Sequence, residues 1–302
     1  MSKNHNWTTK DIPDQSGKIV IVTGANSGIG YETARALALH GATVIMACRD
    51  LEKGAAAAEE IRREHPQADI DLRQLNLADL SSVKKFTENF LAEYVQLDIL
   101  INNGGVMATP YQKTVDGFEL QFGTNHLGHF MLTALLFDLL HDTPDSRVVT
   151  VTSYAHLFSR INFRDLNSEG FYQKWLAYGQ SKLANVLFGY ELQRRAARNG
   201  KNPISIVVHP GYAATNLQHT STLFSFLNPI LAQSQEMGAL PTLYAATSPD
   251  IRGGEYIGPD GFLGQRGYPH LTNSSGPSHD REDARRLWEV SKQLTGIEFN
   301  VV

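Results

Sequence analysis

The chain has 302 residues, of which 42% are hydrophobic and 19% are charged, a composition typical of water-soluble globular proteins. Its formal net charge of -4 gives no general attraction to nucleic acid or to an anionic membrane, so neither is an expected partner. The single cysteine, Cys48, excludes an internal disulfide and a cysteine cluster for a metal, and it fits a reducing, cytoplasmic setting. The polar N-terminus and the absence of a long unbroken apolar segment predict no signal peptide and no membrane anchor.

Apolar, β-branched runs alternate with helical patterns along the chain. In order, the segments are KIVIVTG, a helix through IGYETARALALHG, ATVIMACR, a helix through EKGAAAAEEIRREH, IDLRQLNL, a helix from about Ser81, LDILINN, a long helix around Gly117 to Leu140, RVVTVTS, a helix bearing Tyr178, and ISIVVHPG. Continuous apolar strands separated by helices predict a parallel sheet covered on both faces. The fold class is therefore α/β, a doubly wound Rossmann sheet. Because no repeat or linker divides the chain, we expect a single domain over residues 1–302.

The first predicted strand ends in TGANSGIG, in which Gly24, Gly28 and Gly30 precede a helix. Glycines at this point let the chain turn tightly and let backbone N–H groups approach a pyrophosphate at the positive end of the helix. A glycine cluster could also be a simple turn between strand and helix. Its place after the first strand of a doubly wound pattern favours dinucleotide binding.

Arg49 follows the second predicted strand, where many NAD-binding folds have an acidic residue that holds the ribose 2′-hydroxyl. An acid would repel a 2′-phosphate, whereas a guanidinium binds one through its charge and its paired donors. Arg49 could instead pair with Asp50 or Glu52 at the start of a helix. We expect NADP as the cofactor, with NAD as the alternative.

Tyr178 and Lys182 are four residues apart in LAYGQSKLAN, residues 176–185, which places them on one face of a helix. A nearby ammonium favours the phenolate and so makes a tyrosine a better acid and base. The same spacing suits a surface helix on which an aromatic ring packs against a lysine stem. The pair alone does not decide between catalysis and packing.

Six motifs occur in one order across nearly the whole chain: TGANSGIG at 23–30, NNGG at 102–105, TNHLGHF at 124–130, TS at 152–153, YGQSK at 178–182 and HPGYAAT at 209–215. Together they resemble the short-chain dehydrogenase/reductase superfamily. The segments ACRD, NHLGHF and AYGQSKLANVLF are most similar to its retinol dehydrogenase and WW-domain oxidoreductase branch. The resemblance implies an oxidoreductase that moves a hydride between a nicotinamide and a carbonyl/alcohol pair.

The resemblance also implies a catalytic tetrad of Asn125, Ser153, Tyr178 and Lys182. Tyr178 would exchange a proton with the substrate oxygen, while Lys182 would hold the nicotinamide ribose and lower the pKa of the phenol. Ser153 would hydrogen-bond the same oxygen, and Asn125 would anchor a water chain to Lys182. Taken singly, Ser153 could merely cap the chain that leaves its strand, and Asn125 could satisfy backbone groups inside its helix.

The cofactor site implied by the matching positions runs from the glycine turn to the segment HPGYAAT. Within that segment a threonine hydroxyl would bind the nicotinamide carboxamide. The residues assigned to the cofactor are Gly24, Ser27, Gly28, Ile29, Gly30, Arg49, Asn76, Leu77, Asn103, Gly104, Tyr178, Lys182, Pro210, Gly211 and Thr215. No metal is expected.

The chain departs from the superfamily pattern at three places. Gly104 stands where NNAG has alanine, which loosens the backbone beside the adenosine. Asn76 stands where aspartate is usual, which retains an acceptor oxygen near the adenine. Ser153 and Tyr178 are 25 residues apart, which indicates an active-site insertion at about 158–175.

The substrate region is expected to combine this insertion with a loop at about 211–235. Leu223, Phe224, Phe226 and Leu227 indicate an apolar wall for a hydrophobic aldehyde, ketone or alcohol, although they could equally pack a dimer contact or a lid. The expected function is a soluble, cytoplasmic NADP(H)-dependent oxidoreductase, such as a carbonyl reductase, with homo-oligomers left open. A catalytically silent nucleotide sensor or scaffold and a methyltransferase on a similar fold are the alternatives. The physiological substrate, reaction direction and stereochemistry stay open.

Overall fold

A computed structural model describes residues 6–199, 203–211, 233–261, 264–299 and 301. In this part of the chain one sheet of eight strands has the order β3-β2-β1-β4-β5-β6-β7-β8. The strands are β1 (Ile19–Thr23), β2 (Thr43–Cys48), β3 (Ile70–Gln74), β4 (Ile99–Asn102), β5 (Arg147–Val151), β6 (Ile204–Val208), β7 (Tyr256–Pro259) and β8 (Pro269–Leu271).

Neighbouring strands are parallel except β7 and β8, which pair antiparallel. β1 lies between β2 and β4, so the chain first builds the sheet outward to β3 and then continues in the other direction from β4. This reversal opens a crevice beyond the carboxyl ends of β1 and β4. Doubly wound sheets bind their ligands at such a point.

Helices connect most of the successive parallel strands. They are α1 (Gly28–Leu39), α2 (Leu51–Glu64), α3 (Leu80–Glu93), α4 at 120–135, α5 (Phe137–Asp142), α6 (Lys174–Asn199), α7 (Gln235–Thr247) and α8 (Arg281–Thr295). Within α4, Leu120–Phe122 and Gly128–Leu135 are α-helical and Gly123–Leu127 is a π-helical turn. Among the described helices, none is long and apolar enough to cross a membrane.

The apolar core consists chiefly of two clusters, one on each face of the sheet. Val20 of β1 belongs to the cluster that includes Leu37 of α1. Its neighbour Ile21 points to the other face and belongs to the cluster with Phe90 of α3 and Trp288 of α8. Successive strand residues are thus buried on opposite faces, which explains why the strands read as continuous apolar runs. The predicted doubly wound α/β fold is confirmed.

The long helix predicted from about Gly117 to Leu140 begins later and is interrupted. Gly117 lies in a turn with φ of +87°, in which its N–H donates to the Thr114 carbonyl. Helical structure starts at Leu120, where the Glu119 carboxylate accepts the N–H groups of the first turn. Leu136 separates α4 from α5. Hydrophobic periodicity alone could not show where α4 begins, because its start depends on the positive φ of Gly117 and on the hydrogen bonds of Glu119.

Candidate active site

A cavity of about 800 Å³ opens at the carboxyl edge of the sheet. It is lined by segments that follow β1 to β6, so it spans the point where the strand order reverses. Every predicted site residue within the described part of the chain lines this cavity, except Asn125. Thr215 and the predicted apolar wall of Leu223, Phe224, Phe226 and Leu227 lie outside the described residues.

The glycine turn after β1 presents bare backbone to the cavity. Gly24 and Gly28 have φ values of +67° and +61°, in the left-handed region that glycine adopts without strain. A Cβ on Gly30 would lie 2.3 Å from the Gly24 carbonyl oxygen, so no side chain fits there. A cofactor pyrophosphate can therefore approach the main chain closely at this turn.

The N-terminus of α1 lies beside this turn and lacks a side-chain cap. Asp50, Asp79 and Asp280 accept the first N–H groups of α2, α3 and α8, whereas Ser27 makes no such bond at the start of α1. The first-turn N–H groups of α1 are therefore available to an anion at the positive end of the helix dipole. The residues present here fit the pyrophosphate of a dinucleotide.

The Thr23 hydroxyl joins the glycine turn to the NNGG segment that follows β4. Its oxygen accepts the N–H groups of Asn103 and Gly104 at 2.9 and 2.8 Å. The Asn103 amide in turn donates to the Thr23 carbonyl at 2.8 Å. A Cβ on Gly24 would lie 2.8 Å from the Gly104 Cα, so the two glycine segments are in direct backbone contact.

Two cations lie at the end of the cavity beyond β2. This strand ends at Cys48, so Arg49 is the first residue after it, and its side chain is exposed. The Asp50 carboxylate binds the Lys53 N–H at 3.1 Å and lies 3.3 Å from the Lys53 ammonium, rather than pairing with Arg49. Within the described residues Arg49 thus has no acidic partner. Lys53, which the sequence patterns did not indicate, lines the same end of the cavity.

Asn76 and Leu77 line the cavity after β3. Asn76 Oδ1 accepts the Ala78 N–H at 3.2 Å, and the Asn76 N–H donates to Ser82 Oγ at 3.0 Å. The amide oxygen predicted to face the adenine is therefore partly used within its own turn, with one lone pair left.

Asn125 is fully buried in the π-helical turn of α4 and lies behind the cavity wall. Its Oδ1 accepts the Val106 N–H at 2.8 Å, while Nδ2 donates to the Val106 carbonyl and to Ser181 Oγ, both at 2.9 Å. The side chain thus clamps the loop after NNGG to α6. Because both amide hydrogens are committed, only acceptor capacity is left for the predicted water chain, whose existence stays a prediction.

Tyr178 and Lys182 lie on one face of α6 and are only 7% and 5% exposed in the cavity wall. Lys182 Nζ donates to the Val151 carbonyl at 3.2 Å and lies 5.8 Å from the centroid of the Tyr178 ring. Burial lowers the pKa of Lys182 to about 8. Burial raises the pKa of Tyr178, and the hydrogen bond from Ser153 opposes this rise. In this state the phenol therefore keeps its proton at neutral pH, and the expected lowering by Lys182 does not prevail.

Ser153 follows β5, and the His156 ring binds its main-chain carbonyl. Its hydroxyl accepts the Ala155 N–H at 3.3 Å, so it does cap the short turn Tyr154–Phe158, but it also hydrogen-bonds Tyr178. His156 Nδ1 donates to the Ser153 carbonyl at 2.7 Å, and its Nε2 accepts the Ser275 N–H at 3.2 Å. The sequence carried no sign of this role, because the contact with Ser275 joins distant parts of the chain.

Pro210 and Gly211 border the cavity after β6. Gly211 has φ of +69°, and a Cβ there would lie 2.4 Å from the Gln265 carbonyl oxygen. Gln233 Nε2 donates to the Pro210 carbonyl at 2.7 Å. The backbone after β6 is thus fixed at the cavity by contacts that only glycine permits at position 211.

Apolar side chains line the part of the cavity next to Tyr178. They are Met107, Tyr154, Phe158 and Trp175. The Trp175 ring lies edge to face with that of Tyr178 at 6.3 Å between centroids, and Phe158 is 80% exposed at the mouth. Apart from Lys182, the charged side chains that line the described cavity are those at the Arg49 end. Met107 and Tyr154 were not predicted, because isolated apolar residues carry no spacing signal.

One cavity of this doubly wound sheet therefore brings together the glycine turn after β1 and the buried Tyr178 and Lys182 side chains. The chain belongs to the short-chain dehydrogenase family, whose pattern it matches over residues 18–224. It is therefore an NAD(P)-dependent oxidoreductase that acts on an alcohol/carbonyl pair and takes a small-molecule substrate.

The chain is similar over almost its full length to proteins named retinol dehydrogenases. It is 42% identical to retinol dehydrogenase 12 of Mus musculus over 297 residues, which cover 97% of this chain and 90% of that protein. It is 44% identical to retinol dehydrogenase 11 of Homo sapiens over 288 residues, covering 93% and 86%. The crystal structure of an uncharacterized protein from Mycobacterium paratuberculosis is 45% identical, has a TM-score of 0.83 and covers 98% of this chain and 99% of that chain. The predicted superfamily and its retinol dehydrogenase-like branch are confirmed.

Proposed function

We propose that the protein is an NADP(H)-dependent oxidoreductase of a hydrophobic carbonyl/alcohol pair, with Tyr178 as the proton donor and acceptor. The observation that carries this proposal is the position of the Tyr178 phenol, which lies with Ser153 and Lys182 in the cavity that the glycine turn also lines. A bound nicotinamide dinucleotide supplies or accepts the hydride, and the chain's own side chains handle the proton.

The proton chemistry follows from burial. Because burial raises the pKa of Tyr178, the phenol enters the reaction protonated at neutral pH, as donation to a carbonyl oxygen requires. The Ser153 hydroxyl, which hydrogen-bonds the phenol, would bind the same substrate oxygen. The nearby Lys182 ammonium would stabilise the phenolate left after donation, and its pKa of about 8 keeps it largely charged at neutral pH.

The preference for NADP is supported by the charges beyond β2. Arg49 and Lys53 would hold a 2′-phosphate, whereas a ribose 2′-hydroxyl is usually bound by a free carboxylate. Asp50, the acid nearest this end, is already bound to the N–H and ammonium of Lys53. The glycine turn and the uncapped N-terminus of α1 would hold the pyrophosphate.

A hydrophobic substrate is supported by the other end of the cavity. Met107, Tyr154, Phe158 and Trp175 offer apolar surface close to Tyr178, while the charged groups other than Lys182 lie at the cofactor end. A charged substrate would therefore lose hydration without gaining an ionic partner beyond the proposed catalytic lysine.

The test is the Tyr178→Phe variant, measured by NADPH oxidation with a panel of aldehydes and ketones and by NADPH fluorescence titration. Turnover should fall by about 10²-fold or more, because the proton donor is lost, while the Kd for NADPH should stay within about twofold. Tyr190→Phe is the matched control, since it removes a half-buried hydroxyl from the same helix at a site bonded to Ser274. It should keep wild-type turnover.

Two results would overturn the proposal. Wild-type turnover in Tyr178→Phe would show that Tyr178 does not transfer the proton. Failure of the wild-type protein to bind either nicotinamide cofactor would remove the oxidoreductase function as a whole. Cofactor binding without turnover of any carbonyl would instead favour the nucleotide-sensing alternative.

A further inference from the structure

His129 lies between the two halves of the site and is only 2% exposed. Its Nε2 is 2.9 Å from Thr23 Oγ1, the hydroxyl that holds the NNGG backbone. Its Nδ1 is 3.0 Å from the carbonyl oxygen of Asn125, whose side chain clamps the next part of the same loop. One imidazole thus joins the glycine turn of the cofactor cradle to the helical turn that bears the proposed catalytic asparagine.

The hydrogen bonds favour one protonation state of this imidazole. The Asn125 carbonyl can only accept, so Nδ1 carries a proton. Thr23 Oγ1 accepts the N–H groups of Asn103 and Gly104, the first of which also reaches the Ile101 carbonyl at 3.0 Å. The Thr23 hydroxyl hydrogen has two acceptors within reach, Nε2 at 2.9 Å and the Ile101 carbonyl at 3.3 Å, and the shorter contact is to Nε2. This geometry favours an unprotonated Nε2 that accepts the hydroxyl hydrogen, and hence a neutral ring.

The surroundings favour the same state. Burial and the charge of Lys182 lower the pKa of His129 to about 4, while its bond to the Asn125 carbonyl acts in the opposite direction. His126, the other buried imidazole of this helix, has a pKa lowered to about 3 by burial and does not compete for these partners, since its Nε2 is bound to Ser291.

We propose that His129, as a neutral imidazole protonated on Nδ1, is a positioning residue. It fixes the position of the cofactor cradle relative to the helix that carries Asn125. It touches neither substrate nor cofactor and does not line the cavity. It acts through Thr23, which aligns the backbone of Asn103 and Gly104, and through the main chain of Asn125. The inference rests on the proposed function only where it uses turnover as a readout.

The first experiment compares His129→Leu, His129→Gln and the matched control His126→Leu, by NADPH fluorescence titration, steady-state kinetics and thermal unfolding. Loss of both hydrogen bonds in His129→Leu should raise the Kd for NADPH by about tenfold and also lower kcat. Glutamine has one donor and one acceptor arm, so His129→Gln should restore most of the affinity. His126→Leu loses an equally buried ring. It should lower Tm but change the Kd for NADPH and kcat little.

Two outcomes would overturn the positioning role. One is a His129→Leu protein with wild-type Kd and kcat. The other is a His126→Leu protein whose Kd rises as much as that of His129→Leu, which would make the effect one of general stability. Because the Kd is measured without substrate, an absence of turnover would count against the proposed function and would leave this comparison intact.

The second experiment observes the wild-type ring directly and uses a variant only to assign its signal. Long-range ¹H–¹⁵N spectra of the ¹⁵N-histidine wild-type protein report which ring nitrogen carries the proton, and His129→Gln assigns the signal by its loss. We expect a neutral ring protonated on Nδ1 from about pH 5 to about pH 8. A ring protonated on Nε2, or one that titrates within this range, would contradict the proposed hydrogen bonds of His129 with Thr23 and the Asn125 carbonyl.

Discussion

At the residue scale, the absence of a side chain at Gly105 lets the backbone lie close to Asn125 and Lys182 in the proposed catalytic site. A Cβ there would lie 2.8 Å from Asn125 Oδ1 and 3.7 Å from Lys182 Nζ. Asn125 cannot move away, because its amide is bound to Val106 and Ser181. We expect Gly105→Ala to lower the free energy of unfolding by about 1 to 3 kcal/mol, as overpacking does, and to reduce kcat by about tenfold. Denaturant unfolding and steady-state kinetics measure the two effects.

The neighbouring glycine supplies the control. A Cβ on Gly104 would meet the Leu77 Cδ1 atom at 3.0 Å, and the end of a leucine side chain can shift by a few tenths of an ångström. Its contacts with the Gly24 nitrogen and Thr23 Oγ1, both at 3.3 Å, are tight but longer than the 2.8 Å that a Cβ on Gly105 would make with Asn125. Gly104→Ala also restores the alanine of the superfamily pattern, and it removes freedom from the unfolded chain. Its stability should stay within about 1 kcal/mol of wild type. Equal losses in the two variants would show that Gly105 has no special constraint.

Arg49 decides the cofactor preference if the proposed function is right. Arg49→Asp replaces a guanidinium that has no acidic partner among the described residues with a carboxylate that repels a 2′-phosphate and can bind a ribose hydroxyl. The ratio of kcat/KM for NADPH to that for NADH should fall by about 10- to 100-fold, which is the loss of one charge-assisted hydrogen bond. Arg63→Asp makes the same charge change on the exposed part of α2, away from the cavity, and should leave the ratio unchanged. An unaltered ratio in Arg49→Asp would exclude Arg49 from phosphate recognition.

At the scale of structural elements, a partly buried polar network attaches the segment between Phe158 and Trp175 to the loop beside the cavity. The Tyr172 hydroxyl donates to the Thr109 carbonyl at 2.7 Å and accepts from Gln121 Nε2 at 2.9 Å. Gln121 Oε1 also accepts the N–H of Ala108, whose φ of +50° is unusual for a residue with a Cβ. The network therefore couples the predicted insertion to a strained loop beside the cavity.

Tyr172→Phe should loosen this attachment. We expect a loss of about 1 kcal/mol in the free energy of unfolding, typical of a hydrogen bond, and a severalfold rise in KM for the carbonyl substrate with an unchanged Kd for NADPH. Tyr111→Phe removes a hydroxyl from the ring packed against Tyr172 at 5.1 Å, on a side chain that is 40% exposed, and should change neither constant. If the KM of Tyr172→Phe stays at the wild-type value, the insertion does not shape the substrate region through this network.

At the scale of the whole molecule, four buried histidines make stability depend on pH. Burial lowers the pKa of His126 to about 3, of His129 to about 4 and of His209 to about 3, below the value of about 6.5 in the unfolded chain. Burial lowers the pKa of His156 as well. The unfolded state then binds more protons, so stability rises with pH and is lost as the pH falls below about 6.5.

The free energy of unfolding should therefore fall by about 3 to 5 kcal/mol between about pH 6 and about pH 5, since each of these rings contributes up to about 1.4 kcal/mol per pH unit. Urea unfolding across this range measures the slope, and His126→Asn should reduce it by about a quarter to a third. A stability that is flat between these pH values would mean that the rings are charged in the folded protein or paired in a way the structure does not show.

The elements with strong local patterns could be predicted from the sequence, whereas those that depend on a distant partner could not. β1 to β6 and α1 to α3 were predictable, because buried parallel strands read as apolar runs and the helices have strong local patterns. β7 and β8 were not predicted, because a four-residue strand that ends in Gly258 and Pro259 has the composition of a turn. β7 becomes a strand because β6 is present to pair with it, and β8 because β7 is present in turn.

The sequence by itself determined the family, the glycine turn and the pairing of Tyr178 with Lys182, because each depends on spacings of a few residues within one motif. Only the tertiary structure decided that Asn125 lies behind the cavity wall, that Lys53 joins Arg49, and that His129 bridges to Thr23 across 106 residues of chain. It also decided the direction in which the pKa of Tyr178 moves, because burial is the sum of contacts from many elements and no local pattern contains it.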